Sequence, residues 1–135
     1  MQRDYNLQDI EAIAQALLAN FKSKVILLYG EMGVGKTTLI RSLAKQLGCE
    51  DEVQSPTYSI VNEYILKNDK IYHFDLYRVE SLEEAYNFGI EEYLYSGSWV
   101  IIEWPEIIES IIPDDSEKIS ISASKNNYRN IRLNH

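Results

Sequence analysis

The segment Gly30–Thr37 carries the clearest chemical signal in the sequence, because a glycine is followed by four free positions and then by Gly35, Lys36 and Thr37. Glycine-rich backbone can turn consecutive N–H groups toward an anion, since no side chain blocks the required conformations. Lys36 can reach the terminal phosphates of a nucleotide, and the hydroxyl of Thr37 can bind Mg²⁺. The segment therefore predicts a phosphate site made of main-chain donors, one ammonium group and one hydroxyl.

The residues on either side of this segment supply the strand and the helix that a P-loop requires. Val25–Tyr29 is a short apolar run, which is typical of a buried parallel strand. After the loop, apolar residues recur at helical spacing as far as Gly48, where a helix would end. We therefore predict a nucleotide site formed by Glu31, Met32, Gly33, Val34, Gly35, Lys36, Thr37 and Thr38.

Two carboxylates at predicted strand ends are the candidates for the metal site and for catalysis. The apolar strand Trp99–Glu103 ends in an acid, as Walker B strands do, and Glu103 would then hold Mg²⁺ directly or through a water. Asp75 lies near the end of a predicted strand and could hold a Mg²⁺ water or orient the attacking water; the alternative is a surface ion pair with Arg78. We predict catalytic roles for Lys36, Asp75 and Glu103, and metal binding by Thr37 and Glu103.

Thr57 and Trp104 are candidates for a nucleotide-dependent switch or a partner contact. Thr57 follows Pro56 in a loop where P-loop nucleotidases often carry a threonine that senses the γ-phosphate or Mg²⁺. It could equally satisfy local backbone groups. Trp104 directly follows the strand acid and could contact a partner, cover the nucleotide or belong to the core.

The pattern of elements predicts an α/β P-loop NTPase fold over residues 1–135, as a single domain with a mixed, mostly parallel central sheet and flanking helices. A hairpin over residues 58–77 would supply the antiparallel part of that sheet. The other predicted elements are a helix beginning near Asn6 or Asp9, the P-loop strand and helix, a helix opened by a capping box at Ser81, the strand 99–103, and strands at 118–123 and 129–133.

Composition limits the classes of partner. The net charge is −8, with 13 basic and 21 acidic residues, which argues against a broad basic face for unaided nucleic-acid binding. The single cysteine excludes an internal disulfide, and two histidines far apart in the sequence argue against a zinc site. No signal peptide or membrane-spanning pattern is present, so we expect a cytoplasmic protein without membrane contact.

Four sequence marks in a fixed order resemble the bacterial TsaE (YjeE) family, the small ATPases of tRNA threonylcarbamoyladenosine biosynthesis. The resemblance covers almost the whole chain. Its marks are the P-loop, Ser55-Pro56-Thr57-Tyr58, His73-Phe74-Asp75-Leu76-Tyr77-Arg78, and Ile102-Glu103-Trp104-Pro105.

This resemblance implies binding of ATP with Mg²⁺, slow hydrolysis by the protein alone, and service to the TsaB and TsaD proteins, which transfer threonylcarbamate to an adenosine beside the tRNA anticodon. It implies contact with tRNA only through those partners. Family members usually carry a threonine on the base side of the nucleotide where this chain has Ile10, and a later glycine corresponds to Ala14. By the same resemblance, Lys36 and Thr37 bind phosphate and Mg²⁺, Glu103 is a metal-site acid, Asp75 and Trp104 belong to the functional site, and Thr57 lies in a switch-like loop.

Two other functions remain compatible with these residues. One is a nucleotide-gated binding module that regulates a partner by occupancy and needs no hydrolysis. The other is a small-molecule kinase, against which the arginines are scattered and no segment has the form of a substrate lid. The absence of an Asn-Lys-x-Asp segment, which reads guanine, favours adenine.

Overall fold

The computed structural model describes residues 1–53 and 60–134, which form one seven-stranded sheet with helices against it. The strands are β1 (Gln2–Tyr5), β2 (Val25–Tyr29), β3 (Val61–Ile65), β4 (Lys70–Asp75), β5 (Trp99–Glu103), β6 (Glu117–Ala123) and β7 (Arg129–Asn134). The α-helices are α1 (Ile10–Asn20), α2 (Lys36–Gln46), α3 (Leu82–Asn87) and α4 (Ile90–Leu94). Two 3-10 helices cover Leu7–Asp9 and Pro105–Ile111.

The strand order is β1-β7-β6-β2-β5-β4-β3, with β2 at the centre. The neighbouring strands β6, β2, β5 and β4 run parallel, whereas β3 and β7 pair antiparallel with β4 and β6, and β1 pairs antiparallel with β7. Five of the seven strands therefore point in the same direction, and the predicted α/β fold with a mixed, mostly parallel sheet is confirmed. The predicted hairpin is also present, as β3 and β4.

The continuous apolar run of β2 is buried because both faces of the sheet are covered. Successive side chains of a strand point to opposite faces. Ile26 and Leu28 pack in one hydrophobic cluster with α1 and α2, whereas Val25 and Leu27 pack in a second cluster with α3, α4 and the Pro105–Ile111 helix. This two-sided burial holds the end of β2, and the loop that follows it, in a fixed place.

The helices near Asn6 and Ser81 begin where the sequence predicts them. The Asn6 side chain accepts from the N–H of Gln8 at 3.0 Å and begins the Leu7–Asp9 helix, which continues into α1. The Ser81 hydroxyl accepts from the N–H of Glu84 at 3.1 Å, but the Glu84 carboxylate accepts from the N–H of Glu80, so only half of the predicted capping box forms.

No helix within residues 1–53 and 60–134 combines the length and the hydrophobicity needed to cross a membrane.

Candidate functional site

The candidate site lies where the parallel strands β2, β4 and β5 end. Asp75 and Glu103 are the last residues of β4 and β5 and are register partners across the two strands. Glu103 is also the register partner of Leu28 in β2, and β2 leads directly into the glycine-rich loop. Because parallel strands end at the same edge of a sheet, two acids distant in sequence meet the loop there.

These residues surround one cleft of about 420 Å³. All predicted catalytic residues and both predicted metal ligands contribute to its lining. The complete lining is Met32, Gly33, Gly35, Lys36, Thr37, Thr38, Asp75, Glu103 and Trp104.

The loop reaches the cleft through backbone conformations that favour glycine. Gly33 has φ 83° and Gly35 has φ 99°, both in the left-handed region that residues with a Cβ rarely adopt. Gly35 directly precedes α2, so the first N–H groups of this 11-residue helix lie beside the cleft. The positive end of a helix dipole and unpaired N–H groups together favour an anion at this position.

Lys36 is held by two contacts inside the site. Its Nζ donates to the carbonyl oxygen of Gly30 at 2.6 Å and lies 3.7 Å from the centroid of the Trp104 ring. Its exposed fraction is only 6%. Burial lowers the pKa of Lys36, and the negative charges of Glu103, Asp75 and Glu106 oppose this effect. If a phosphate entered the cleft, Lys36 could exchange its contacts with a carbonyl oxygen and an aromatic ring for a contact with a full negative charge.

Trp104 is neither fully buried nor fully exposed. Its backbone lies in the left-handed region at φ 55° and ψ 57°, which turns the chain from β5 into the following 3-10 helix. Its ring contacts Tyr77, with 5.0 Å between ring centroids, as well as the ammonium group of Lys36. Trp104 therefore combines packing against Tyr77 with a position beside Lys36.

Glu103 is almost completely buried, and its hydrogen-bond partner is His73, for which the sequence analysis predicts no individual role. The Oε2 atom of Glu103 lies 2.7 Å from Nε2 of His73, and Nδ1 of His73 lies 3.3 Å from the hydroxyl of Tyr64. Successive side chains of β4 point to opposite faces, so His73 and Phe74 lie on different faces of the sheet. The contact of His73 with Glu103 could not be inferred without knowing that β4 and β5 are neighbours.

Asp75 is oriented by the chain that follows it. Its Oδ1 accepts a hydrogen bond from the N–H of Tyr77 at 3.0 Å. Within the described part of the chain, no ion pair joins Asp75 to Arg78, so that alternative is not realised. The carboxylate lines the cleft instead.

The donor set of the cleft fits Mg²⁺. The Thr37 hydroxyl and the carboxylates of Asp75 and Glu103 are hard oxygen ligands, which Mg²⁺ prefers. Residues 1–53 and 60–134 contain no group of three or more His, Cys, Asp or Glu side chains suited to a metal. Mg²⁺ typically binds through one or two carboxylates and substrate phosphates, so a bound nucleotide would supply the missing ligands.

A second cleft, of about 250 Å³, adjoins the other side of the glycine-rich loop. The two clefts share Gly33, Gly35 and Thr38. The side chain of Arg129 fixes this part of the loop by donating from Nε to the Val34 carbonyl at 3.1 Å. The remaining lining residues are Tyr5, Leu7, Ile10, Val34, Asn127 and Arg129.

The predicted nucleotide residues divide between the two clefts. Val34 lines only the second cleft, and exposed Glu31 lines neither. Thr57 lies outside the described residues. Sequence reasoning missed Tyr5, Asn127 and Arg129 as neighbours of the loop, because β1 and β7 join the sheet through contacts between the two ends of the chain.

Comparisons with known proteins agree with the family resemblance of the sequence. Residues 5–131 match the family model of Threonylcarbamoyl adenosine biosynthesis protein TsaE. The tRNA threonylcarbamoyladenosine biosynthesis protein TsaE of Haemophilus influenzae is 38% identical over 131 residues, covering 87% of this chain and 83% of the relative. The protein of the same name from Bacillus subtilis is 35% identical over 133 residues, covering 96% and 81%.

A solved structure is also similar to this chain. The crystal structure of Bacillus subtilis YdiB superposes with a TM-score of 0.78 at 28% sequence identity, and the match covers 98% of this chain and 84% of YdiB. Because the family model spans nearly all of the sequence and the curated relatives are matched over most of their length, the chain belongs to the TsaE family.

Proposed function

We propose that this protein is the ATP-binding and hydrolysing component required to form threonylcarbamoyladenosine in tRNA, and that it acts with TsaB and TsaD. Membership of the TsaE family supports the pathway. The observation that carries the ATPase assignment is the meeting of Lys36, Thr37, Asp75 and Glu103 in one cleft beside the start of α2. The contact with tRNA is made by the partners.

The two clefts suit the two ends of ATP. The triphosphate would lie in the larger cleft, where loop N–H groups and Lys36 face it. The adenine base would lie in the smaller cleft, where Tyr5 and Ile10 offer apolar surface for a flat ring. The family resemblance implies a threonine at the position of Ile10, and Ile10 would contact the base by packing instead of hydrogen bonding.

Hydrolysis would depend mainly on positioning and charge. Mg²⁺, held by Thr37 and Glu103, would supply positive charge to the phosphate oxygens. Lys36 would leave the Gly30 carbonyl and stabilise the charge that develops on the transferred phosphoryl group. Asp75, whose carboxylate is already oriented by the Tyr77 N–H, would orient the attacking water.

One observation favours a second function, a nucleotide-gated binding module. The Trp104 ring covers Lys36, so a phosphate that draws Lys36 away must change the surroundings of Trp104. A partner could detect this change at the edge of the cleft without any hydrolysis.

The two functions are separated by substituting the carboxylates. Asp75→Asn and Glu103→Gln should retain ATP binding measured in EDTA, lower hydrolysis by about 100-fold or more, and abolish tRNA modification in a mixture with TsaB, TsaD and tRNA. Lys36→Ala should lose both binding and hydrolysis. Glu91→Gln is the matched control, because Glu91 is an exposed carboxylate of α4 that does not line the cleft and is not among the charges acting on Lys36.

Normal modification by a variant that binds ATP but does not hydrolyse it would reject the ATPase role and establish the gated module. Absence of ATP binding by the wild-type protein would reject both functions.

A further inference from the structure

We propose that His73 is a positioning residue for Glu103, and that it holds one carboxylate oxygen so that the acid serves the Mg²⁺ site in a single orientation. This inference rests on the proposed function, because it assumes that Glu103 takes part in a Mg-ATP site. It assigns a role to His73, a buried histidine that does not belong to the glycine-rich loop.

The geometry joins three strands in one chain of hydrogen bonds. The side-chain amide of Asn62 donates to the Tyr64 hydroxyl at 3.2 Å, and that hydroxyl lies 3.3 Å from Nδ1 of His73. On the other side of the ring, Nε2 of His73 lies 2.7 Å from Oε2 of Glu103. Asn62 and Tyr64 belong to β3, His73 to β4 and Glu103 to β5.

A neutral His73 ring with its proton on Nε2 is compatible with each of these hydrogen bonds. Glu103 as a carboxylate can only accept, so Nε2 of His73 must carry a proton and donate it. In a neutral ring Nδ1 then accepts, which suits the O–H of Tyr64, and the Tyr64 oxygen accepts from Asn62. Glu103 therefore fixes the ring proton on Nε2, and the Tyr64 hydroxyl supports the ring from the Nδ1 side.

Burial makes this positioning effective. The exposed fractions are 0% for the His73 side chain and 5% for that of Glu103, so water does not compete for their hydrogen bond. His73 is also fixed from both sides, as a register partner of Asn62 in β3 and of Ile101 in β5. The fixed His73 ring therefore holds one oxygen of Glu103, while Glu103 still lines the cleft.

The competing explanation is that His73 is a core histidine whose bond to Glu103 only stabilises the fold. Two substitutions separate these explanations, because glutamine places its amide N–H near the position of Nε2, whereas asparagine places its amide near Nδ1. His73→Gln can therefore still donate to Glu103, and His73→Asn cannot. Glutamine and asparagine are both neutral and polar, so the two variants should disturb the buried core to a similar extent.

The measurement is the ratio of ATP affinity in Mg²⁺ to ATP affinity in EDTA, obtained by equilibrium binding without turnover. We expect His73→Gln to keep this ratio within about threefold of wild type and His73→Asn to lower it about tenfold, as loss of a residue that orients a metal ligand does. Affinity in EDTA should stay unchanged in both, because the phosphate loop is intact. Equal ratios for the two variants would overturn the proposal.

Tyr64→Phe tests the support of the ring from β3 with a milder change. Without the hydroxyl, the His73 ring keeps its contact with Glu103 but loses the hydrogen bond at Nδ1 that helps to orient it. We expect the ratio to fall about threefold, and an unchanged ratio would overturn the proposal even if the His73 variants do not fold. A wild-type affinity that is the same in Mg²⁺ and in EDTA would overturn the proposed Mg-ATP site itself, and this inference with it.

Discussion

Lys36 is the residue at which binding and stability oppose each other. Its ammonium group is almost fully buried beside the loop, and burial is the main reason that its pKa is lowered from the ordinary value of 10.5. The hydrogen bond to Gly30 and the Trp104 ring recover part of this cost. If Lys36 binds phosphate as proposed, the folded protein loses some stability by holding this cation ready in the site.

Lys36→Met should therefore abolish ATP binding while leaving the melting temperature at pH 7 unchanged or up to about 4 °C higher. Methionine fills a similar volume and carries no charge to desolvate. The folded wild type bears the cost of the charge at pH values below the lowered pKa of Lys36. As the pH rises from that pKa toward 10.5, folding no longer requires a buried charge, so the wild type should approach the variant in stability.

Melting curves followed by circular dichroism from pH 7 to pH 10 measure this difference. Lys45→Met is the control, because Lys45 lies on the same helix with its side chain 75% exposed, and it should change the melting temperature by about 1 °C or less. A Lys36→Met variant that melts well below wild type at pH 7 would contradict the expectation.

Several site residues could be predicted because their chemistry is local in sequence. Lys36 and Thr37 belong to a motif of fixed spacing, and Glu103 ends an apolar strand. His73 could not be predicted, because its function depends on which strand lies beside β4. A histidine on one face of a strand has the same sequence signature whether it contacts a catalytic acid or only core residues.

The loop between β2 and α2 depends on its close approach to another strand. A Cβ built at Gly30 would lie 2.7 Å from the carbonyl oxygen of Ile121 in β6 and 3.0 Å from a methyl group of Val34. The first of these atoms belongs to the backbone of a paired strand and cannot turn aside. The position of the glycine-rich loop is therefore set partly by β6.

Gly30→Ala should lower the free energy of unfolding by about 3 kcal/mol and weaken ATP binding at least tenfold, because the loop must move away from β6. Gly97→Ala is the matched control. Gly97 has a positive φ of 82°, but nothing lies within 4 Å of a Cβ built there. Only the backbone strain should therefore lower the free energy of unfolding, by roughly 1–2 kcal/mol. Urea unfolding and ATP binding are the measurements, and equal losses in the two variants would show that contact with β6 is unimportant.

The elements were easier to predict than their arrangement. The apolar run of β2, the hairpin of β3 and β4, and the alternating strands β6 and β7 each carry their own pattern in sequence. Strand β1 does not, because its four residues are mostly polar and it forms by pairing with β7 at the other end of the chain. The second cleft was missed for the same reason, since it joins residues near Tyr5 to residues near Arg129.

At the scale of the whole molecule, the net charge limits how strongly the protein can bind tRNA directly. The chain carries 21 acidic and 13 basic residues, and the exposed surface of α3 and α4 includes Glu83, Glu91 and Glu92. Binding to a polyanion draws its free energy largely from cations that replace the condensed counterions. A chain with a net charge of −8 has little of this driving force and is repelled at long range.

We therefore expect the isolated protein to bind tRNA with a dissociation constant weaker than about 100 µM at 0.15 M salt, as measured by fluorescence anisotropy. Changing Glu83, Glu91 and Glu92 together to Lys replaces one negative charge by one positive charge at each position. This should strengthen binding at least tenfold in a salt-dependent manner, because these side chains are exposed and lie outside both clefts. Micromolar binding by the wild type would show that local basic residues outweigh the net charge, and it would replace tRNA contact through partners with direct contact by this protein.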